Sequence, residues 1–230
     1  MKHLVVFTGA GISAESGIRT FRDSDGLWEN YRIEDVATPQ AWQRDKALVL
    51  DFYNQRRVQC INAKPNAAHK ALAQLEGKFK VSVITQNIDN LHERAGSKNV
   101  LHLHGEIMKS RSTIDPSLVY DITKPHLNLN DQCEKGSQLR PHIVWFGEAV
   151  PMMESACRVA SKADIFVVIG SSLVVYPAAS LLEYAPIACP KFIIDPNIPN
   201  VEHINNITAI QATAVNGMKI LLKKLVDENN

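Results

Sequence analysis

Short runs of apolar, largely β-branched residues recur along the chain, and glycine or polar residues follow each of them. These runs occupy residues 4–7, 81–84, 165–169 and 192–194. They lack polar alternation, which indicates strands buried on both faces of a parallel sheet. Apolar positions at helical spacing lie between them, at residues 66–75, 153–161, 177–184 and 217–226. The alternation of strands and helices predicts an α/β fold with a doubly wound parallel sheet.

Two stretches interrupt this alternation. Residues 25–61 have a helical pattern without a strand of this buried type, and residues 105–142 are polar and irregular, with three prolines. An unstructured loop of that length is uncommon inside a compact domain. We therefore expect a second, smaller inserted lobe formed by residues 25–61 and 105–142. The main domain would comprise residues 1–24, 62–104 and 143–230.

Composition narrows the class of protein. Apolar residues make up 45% of the chain and charged residues 21%, which is typical of a globular protein with a buried core. The net charge of +1 provides no field that recruits nucleic acid or an anionic membrane, so we expect neither partner. The apolar run before Gly9 is too short for a signal peptide, and we expect a cytoplasmic monomer. The cysteines at 60, 133, 157 and 189 form no C-x-x-C pair, so we expect reduced thiols.

A glycine-rich segment, Gly9-Ala10-Gly11, follows the first predicted strand. Ligands in open α/β sheets bind beyond the carboxyl ends of the strands, and glycines there let the backbone approach a pyrophosphate. An ordinary tight turn is the alternative. A dehydrogenase would place a ribose-binding acid on a second strand about 20 residues on. Here Arg19 and Arg22 flank Phe21 in a polar stretch with no such strand, which counts against hydride transfer.

Two further clusters carry candidate chemistry. Gln86 and Asn87 are suited to bond ribose hydroxyls, and Asp89 to accept from a carboxamide, whereas helix capping would explain only one of them. His102 and His104 alternate along a short predicted strand, so both should lie on one face. A histidine near neutral pKa suits general-base work on a ribose hydroxyl, but a metal site or a structural role remains an alternative.

Two more segments follow strand-like stretches. Val144-Trp145-Phe146-Gly147-Glu148 has the apolar and aromatic character of an edge that holds an extended peptide, with core packing as the alternative. Gly170-Ser171-Ser172 offers backbone N–H groups and hydroxyls at another strand end, with a simple turn as the alternative.

Taken together and in order, these segments resemble the sirtuin family. The resemblance is carried by GAGISAESGIRTFR, TQNIDNLH, HLHGE, VWFGE and GSSLVVYPAA, between residue 8 and about residue 180. It implies a Rossmann-type NAD-binding domain with a small lobe, and an NAD-dependent protein-lysine deacylase that acts on acyl-lysine proteins or peptides. It also implies that NAD is a co-substrate. The acyl oxygen attacks C1′ of the nicotinamide ribose, and free lysine, nicotinamide and O-acyl-ADP-ribose are the products.

The resemblance also implies residue roles. His104 would be the general base, with Asn87 and Asp89 as its catalytic partners in the nicotinamide pocket. The cofactor-binding residues would be Gly9, Ala10, Gly11, Ser13, Glu15, Thr20, Phe21, Arg22, Trp28, Gln86, Asn87, Ile88, Asp89, Gly170, Ser171, Ser172, Asp195, Pro196, Asn197 and Ala214. The peptide and acyl-lysine channel would be lined by Val144, Trp145, Phe146 and Gly147.

One subgroup of sirtuins carries Tyr-x-x-Arg in the helical insert and prefers succinyl, malonyl or glutaryl lysine. Tyr53 and Arg56 match this pattern, and three residues apart on a helix they share a face. A guanidinium grips a carboxylate at two points, and a phenol adds a third bond. We therefore expect an acidic acyl substrate, with a surface helix pair as the alternative.

The chain departs from the family in the small lobe, where most sirtuins have four zinc-binding cysteines. Residues 108–115 contain serines and Asp115 instead of the first pair, and only Cys133 remains of the second. One thiolate does not make a structural zinc site, and the spacing of His126 and Asp131 does not complete one. We predict no metal site. An ADP-ribosyltransferase and a non-catalytic NAD sensor remain alternatives on this fold, but the intact His104 and channel residues favour deacylation.

Overall fold

The computed structural model describes residues 1–19, 27–28 and 31–227, with residues 27–28 and 226–227 described by their backbone alone. In these ranges the strands are β1 (His3–Thr8), β2 (Leu27–Trp28), β3 (Tyr31–Arg32), β4 (Lys80–Thr85), β5 (Val100–His102), β6 (Gly105–Ser112), β7 (Val119–Asp121), β8 (Leu139–Ile143), β9 (Ile165–Ile169), β10 (Lys191–Asp195) and β11 (Ile207–Gln211). The helices are α1 (Gly11–Ala14), α2 (Ile33–Val36), α3 (Pro39–Arg44), α4 (Lys46–Asn62), α5 (Ala67–Leu75), α6 (Leu91–Ala95), α7 (Met153–Ala160), α8 (Leu181–Tyr184) and α9 (Ala214–Asp227).

The main sheet has six parallel strands in the order β11-β10-β9-β1-β4-β5. The predicted doubly wound α/β fold is therefore confirmed. Neighbouring residues of β1 face opposite layers: Leu4 and Val6 belong to one buried cluster, and Val5 and Phe7 to another. Helices cover both faces of the sheet, which explains why its central strands are buried at nearly every position and largely apolar.

The main sheet differs from the sequence prediction at one edge. β11 was not predicted, because three of its five residues are exposed and only Ile210 is buried, so it lacks a continuous apolar run.

Two predicted helices have different outcomes. The predicted helix at residues 177–184 divides into a 3₁₀ turn, Ala178–Ser180, and the short helix α8. The helix predicted at residues 66–75 is present as α5, and the side chain of Asn66 caps it by accepting from the amide of Ala68 at 2.9 Å.

The small lobe has more regular structure than its sequence suggests. Most of residues 105–142 belong to an antiparallel sheet in the order β7-β6-β8 and its connections, which the sequence pattern did not predict strand by strand. The strands escaped prediction because they are half-exposed and polar, with burial that follows no simple alternation along β6. Helices α2 to α4 occupy most of residues 33–62, as expected, and the short β2–β3 pair precedes them.

One apolar cluster joins the two parts of the small lobe. Val49 and Phe52 of α4 pack in the same buried cluster as Ile107 of β6, and the cluster extends to Trp145 after β8. This packing sets the helical insert over the carboxyl end of the main sheet. The predicted domain boundaries themselves stay a prediction. No helix in the described ranges is both long and apolar enough to cross a membrane.

The chain reverses its direction across the sheet between β1 and β9. From β1 it proceeds outward to β4 and β5, and from β9 it proceeds to β10 and β11. The loops after β1 and β9 diverge around a crevice at this switch point, where α/β folds bind ligands. The two loops also touch, because the Gly11 amide donates to the Gly170 carbonyl at 2.9 Å.

Candidate active site

A cavity of about 740 Å³ lies at the carboxyl ends of the main strands and extends beneath the helices of the small lobe. Of the predicted site residues, those whose side chains are described all line it: Gly9, Ala10, Gly11, Ser13, Glu15, Tyr53, Arg56, Gln86, Asn87, Ile88, Asp89, His104, Val144, Trp145, Phe146, Gly147, Gly170, Ser171, Ser172, Asp195, Pro196, Asn197 and Ala214. Thr20, Phe21 and Arg22 lie outside the described residues, as does the side chain of Trp28. Eight separate segments of sequence thus meet around one cavity.

The glycine loops form the floor of the cavity at the switch point. A Cβ atom on Gly9 would lie 2.6 Å from the Gly170 carbonyl oxygen, and one on Gly170 would lie 2.4 Å from the Ile12 amide nitrogen. Gly170 also has a φ of +63°, a conformation that side chains disfavour. The loops are therefore packed backbone to backbone, which leaves the cavity floor open to a ligand.

We expect Gly170→Ala to lower the free energy of unfolding by at least about 1–3 kcal/mol, because backbone strain and a steric clash with the glycine loop act together. Urea denaturation measures this change. Gly136→Ala is the matched control, since Gly136 has a φ of +73° but no atom within 4 Å of its Cβ position. Equal losses in the two variants would show that close packing of the loops contributes nothing.

Asn87 and Asp89 are joined to the glycine loop through Ser13. The side-chain amide of Asn87 donates to the Gly9 carbonyl at 3.1 Å and to the Ser13 hydroxyl at 3.2 Å. That hydroxyl donates to Asp89 Oδ2 at 3.0 Å, and Asp89 Oδ1 accepts from the Leu91 amide at 3.0 Å. Asp89 therefore satisfies the first amide of α6, close to the capping role that was the alternative, although the N-cap position itself is Asn90, and it also lines the cavity. Burial raises the pKa of its carboxyl, and the bonds from Leu91 and Ser13 oppose that rise.

His104 is held in the tautomer that a general base requires. Its Nδ1 lies 3.1 Å from the Gln86 carbonyl, and a carbonyl only accepts, so Nδ1 carries the proton. In the neutral ring the lone pair is then on Nε2. Burial lowers the pKa of His104, with the Gln86 bond opposing it, so the ring is neutral at neutral pH. Gln86 also bridges the switch point, because its side-chain amide donates to the Ser171 hydroxyl at 2.9 Å.

The two histidines of the HLH segment face the same loop, as predicted. His102 Nδ1 lies 3.0 Å from the Asn87 carbonyl, next to the carbonyl that His104 holds. Leu103 between them is buried in the core on the other side. The strand β5 ends at His102, however, and His104 lies beyond it.

Glu15 and Asp195 have structural partners in addition to their place on the cavity wall. Glu15 accepts from the Val215 amide at 2.8 Å and from the Thr213 hydroxyl at 3.2 Å, and it thereby caps the start of α9. Asp195 accepts from the Asn197 amide at 2.8 Å and shapes its own turn. Their cofactor contacts stay predictions.

Tyr53 and Arg56 of α4 line the cavity. Both lie on α4 with side chains almost fully buried, at 0% and 5% exposure, so the alternative of a surface pair is wrong. The Arg56 guanidinium lies 5.9 Å from the centroid of the Phe52 ring. Burial raises the pKa of Tyr53, so its phenol is a neutral hydrogen-bond donor at neutral pH.

The wall next to Tyr53 of α4 is built around Trp145. Its indole is 2% exposed, so core packing holds for this residue, whereas Phe146 is 42% exposed. The Arg140 guanidinium lies 3.2 Å from the Trp145 ring centroid and forms an ion pair with Glu148 at 2.7 Å. Glu148 also accepts from the Trp145 amide at 2.8 Å and pairs with Arg111 at 3.3 Å.

Sequence reasoning missed several lining residues. Glu148 lies inside the quoted VWFGE segment and was given no role. Ile33, Ala37 and Cys60 come from the helical insert, and only the fold brings them to the cavity. The remaining unpredicted lining residues are Ala14, Ile18, Arg19, Ile143, Val150, Val174, Val175, Tyr176, Pro177, Ile194 and Thr213.

A hydrogen-bonded cluster occupies the part of the small lobe where zinc ligands were considered. The Cys133 thiol lies 3.4 Å from the Ser112 hydroxyl and 3.2 Å from the Ser137 hydroxyl, and the two hydroxyls are 2.9 Å apart. These hydroxyls lower the pKa of Cys133 to about 7. One thiol with two hydroxyls does not fit zinc, and no group of three His, Cys, Asp or Glu side chains suited to a metal occurs in the described part of the chain.

Comparison with known proteins agrees with this arrangement. Residues 9–177 match the Sir2 family. The chain is 52% identical over 227 residues to an "NAD-dependent protein deacylase" of Helicobacter pylori, covering 99% of both proteins. It is also 52% identical to a protein of the same name from Bacteroides thetaiotaomicron, covering 98% of this chain and 99% of that protein.

Solved structures give the same assignment. A Sir2 homologue in complex with NAD superposes with a TM-score of 0.88 at 41% identity, covering 100% of this chain and 91% of that one. A mutant Sir2 homologue in complex with ADP-ribose superposes with a TM-score of 0.89 at 40% identity, covering 99% of this chain and 93% of the other. The Sir2 family match covers most of the chain, and the relatives from Helicobacter pylori and Bacteroides thetaiotaomicron cover nearly all of it. The chain therefore belongs to the Sir2 family.

Proposed function

We propose that this protein is an NAD-dependent protein-lysine deacylase. The observation that carries the proposal is His104, a neutral base whose Nδ1 is fixed on the Gln86 carbonyl inside the 740 Å³ cavity. The names of the relatives from Helicobacter pylori and Bacteroides thetaiotaomicron support the same activity.

The cavity residues fit a dinucleotide. The glycine loops leave the backbone open on the cavity floor, and Gln86, Asn87 and Asp89 supply amide and carboxyl groups beside it. When bound, NAD supplies the cleavable bond between nicotinamide and ribose. Asn87 and Asp89 would hold the carboxamide and ribose of the nicotinamide half. Ser171 and Ser172 would hold the adenosine half.

The remaining steps use this chain's own groups. His104 Nε2 would take a proton from a ribose hydroxyl, and the fixed Nδ1 bond to Gln86 keeps the ring oriented for that transfer. The buried Trp145 wall would exclude water and orient the acyl-lysine, so that positioning contributes much of the rate.

The experiment that tests this function measures the products of NAD turnover on an acylated peptide. We expect nicotinamide, free lysine and O-acyl-ADP-ribose in equal amounts by mass spectrometry. Attachment of ADP-ribose to protein without release of lysine would instead identify a transferase. NAD binding without any product would identify a sensor.

We further propose that acyl groups bearing a carboxylate are the preferred substrates. Support comes from the buried Tyr53 phenol and Arg56 guanidinium that line the cavity. The lining carboxylate Glu148 is already neutralised by Arg140 at 2.7 Å and Arg111 at 3.3 Å. A guanidinium and a phenol side by side can bind a carboxylate with several hydrogen bonds, which suits succinyl, malonyl or glutaryl lysine more than acetyl lysine.

We also propose that the enzyme works without zinc, since the Ser112, Cys133 and Ser137 cluster is bonded internally. Incubation with a strong zinc chelator should leave the deacylation rate and the thermal midpoint unchanged. A zinc metalloprotease treated in parallel serves as the positive control. Loss of activity that added zinc restores would overturn this expectation.

A further inference from the structure

His102 lies between two hydrogen-bond acceptors. Its Nδ1 is 3.0 Å from the Asn87 carbonyl, and its Nε2 is 2.7 Å from Glu93 Oε1. A carbonyl and a carboxylate only accept, so both ring nitrogens must donate, and the ring must be an imidazolium. A protonated Glu93 would relax this requirement, but the bond and charge of His102 outweigh burial and lower the pKa of Glu93.

The surroundings favour this ion pair. The His102 side chain is 8% exposed and the Glu93 side chain 41%. Burial alone would lower the pKa of His102, but the hydrogen bond and charge of Glu93 outweigh it and raise that pKa. The other charged or titratable groups described around the pair are His69, Asp89, His92, Glu106 and Lys109.

Asn87 is anchored by its backbone as well as by its side chain. Its amide nitrogen donates to the Thr85 hydroxyl at 3.0 Å, and its carbonyl accepts from His102. Its side chain reaches the Gly9 carbonyl at 3.1 Å. Loss of the bond from His102 frees the peptide plane between Asn87 and Ile88, in the segment that lines the cavity beside the glycine loop.

We propose that Glu93 and His102 form a charged positioning pair that holds the Asn87 carbonyl and so sets the orientation of the NAD-binding segment 86–89. This role rests on the proposed function, because it assumes that the cavity binds NAD. Glu93 and His102 are positioning residues: neither lines the cavity, and both act through Asn87.

The pair makes NAD binding dependent on pH. The imidazolium makes both bonds, so the anchor is complete below the pKa of His102 and is lost as pH rises through it. A neutral ring has one N–H. It keeps the stronger bond, to the Glu93 carboxylate, and releases the Asn87 carbonyl. Removing the charge of Glu93 removes the main cause of the raised pKa, so the loss should begin at lower pH.

The experiment combines two readouts on the full chain, both made without an acyl peptide. Imidazole ¹⁵N spectra report whether both His102 nitrogens carry protons, and calorimetry gives the affinity for NAD across pH. In the wild type we expect two protonated nitrogens at neutral pH, and NAD binding that weakens by about fivefold as the ring loses its proton. In Glu93→Gln both changes should occur at lower pH.

Glu154→Gln is the matched control, because Glu154 is an exposed carboxylate paired with Arg158 on α7, away from the cavity. It should leave both titrations in place. His102→Leu should bind NAD with the weaker affinity at every pH and lose the pH step.

An unshifted step in Glu93→Gln would overturn the proposal, as would a stability loss with an unchanged NAD profile. If the wild type binds no NAD, the proposed function and the positioning role both fall, whereas failure of deacylation alone leaves this test intact.

Discussion

The His104→Ala variant should lose about 10²- to 10⁴-fold in kcat while its affinity for NAD stays close to that of the wild type. The base is removed, but the residues that would hold NAD, chiefly the glycine loops and segment 86–89, are intact. Burial lowers the pKa of His104, so the wild-type activity should fall on the acid side only below the ordinary histidine range. That limb should disappear from the residual activity of the variant.

Single-turnover rates of lysine release and calorimetric NAD binding separate these two effects. His126→Ala is the matched control, because His126 is an exposed histidine of the small lobe that does not line the cavity. It should retain the wild-type rate and pH profile. Deacylation that survives intact in His104→Ala would show that another group takes the proton.

Arg56→Met should reduce kcat/KM for succinyl-lysine by about 10- to 100-fold, with little change for acetyl-lysine. A hydrogen-bonded charge pair with the substrate carboxylate would be lost, whereas methionine fills a similar volume. The acyl carboxylate would then be buried in the cavity without its cation, which is costly. An acetyl group lacks the carboxylate and should be indifferent to the change.

Two variants sharpen this prediction. Tyr53→Phe removes one neutral donor and should cause a smaller loss of the same selectivity. Gln55→Met places the same new side chain on the exposed side of α4, where Gln55 donates to Asp51 at 2.7 Å. It should leave kcat/KM unchanged for both substrates. Equal losses for both acyl groups in Arg56→Met would mean that Arg56 supports the fold and does not select the substrate.

The predictable part of the fold is the part buried on both faces. The central strands β1, β4, β9 and β10 are buried at nearly every position, and each contains a run of mostly apolar residues that identifies it as a strand. β11 and the strands of the small lobe are half-exposed, and their mixed polarity resembles that of loops. Their pairing depends on distant partners, which local sequence does not contain.

The site divides in the same way. Gln86, Asn87 and His104 stand in short segments with distinctive order, so they were predictable. Glu93 pairs with His102, and Glu148 pairs with Arg140. In each pair the two residues lie on different elements, so no local sequence pattern predicts the contact. Glu15 shows a different gap in what sequence predicts. Its motif suggested a cofactor contact, but nothing in the sequence indicated that its carboxylate also caps α9.

A competition experiment with the wild-type protein tests the proposed preference for acidic acyl groups most directly. One peptide sequence is supplied as equal amounts of its succinyl-lysine and acetyl-lysine forms, with NAD limiting. The ratio of the two deacylated fractions then gives the ratio of kcat/KM values. We predict that the succinyl form is consumed first, with one nicotinamide released per lysine freed. Equal or faster consumption of the acetyl form would contradict the role assigned to Tyr53 and Arg56.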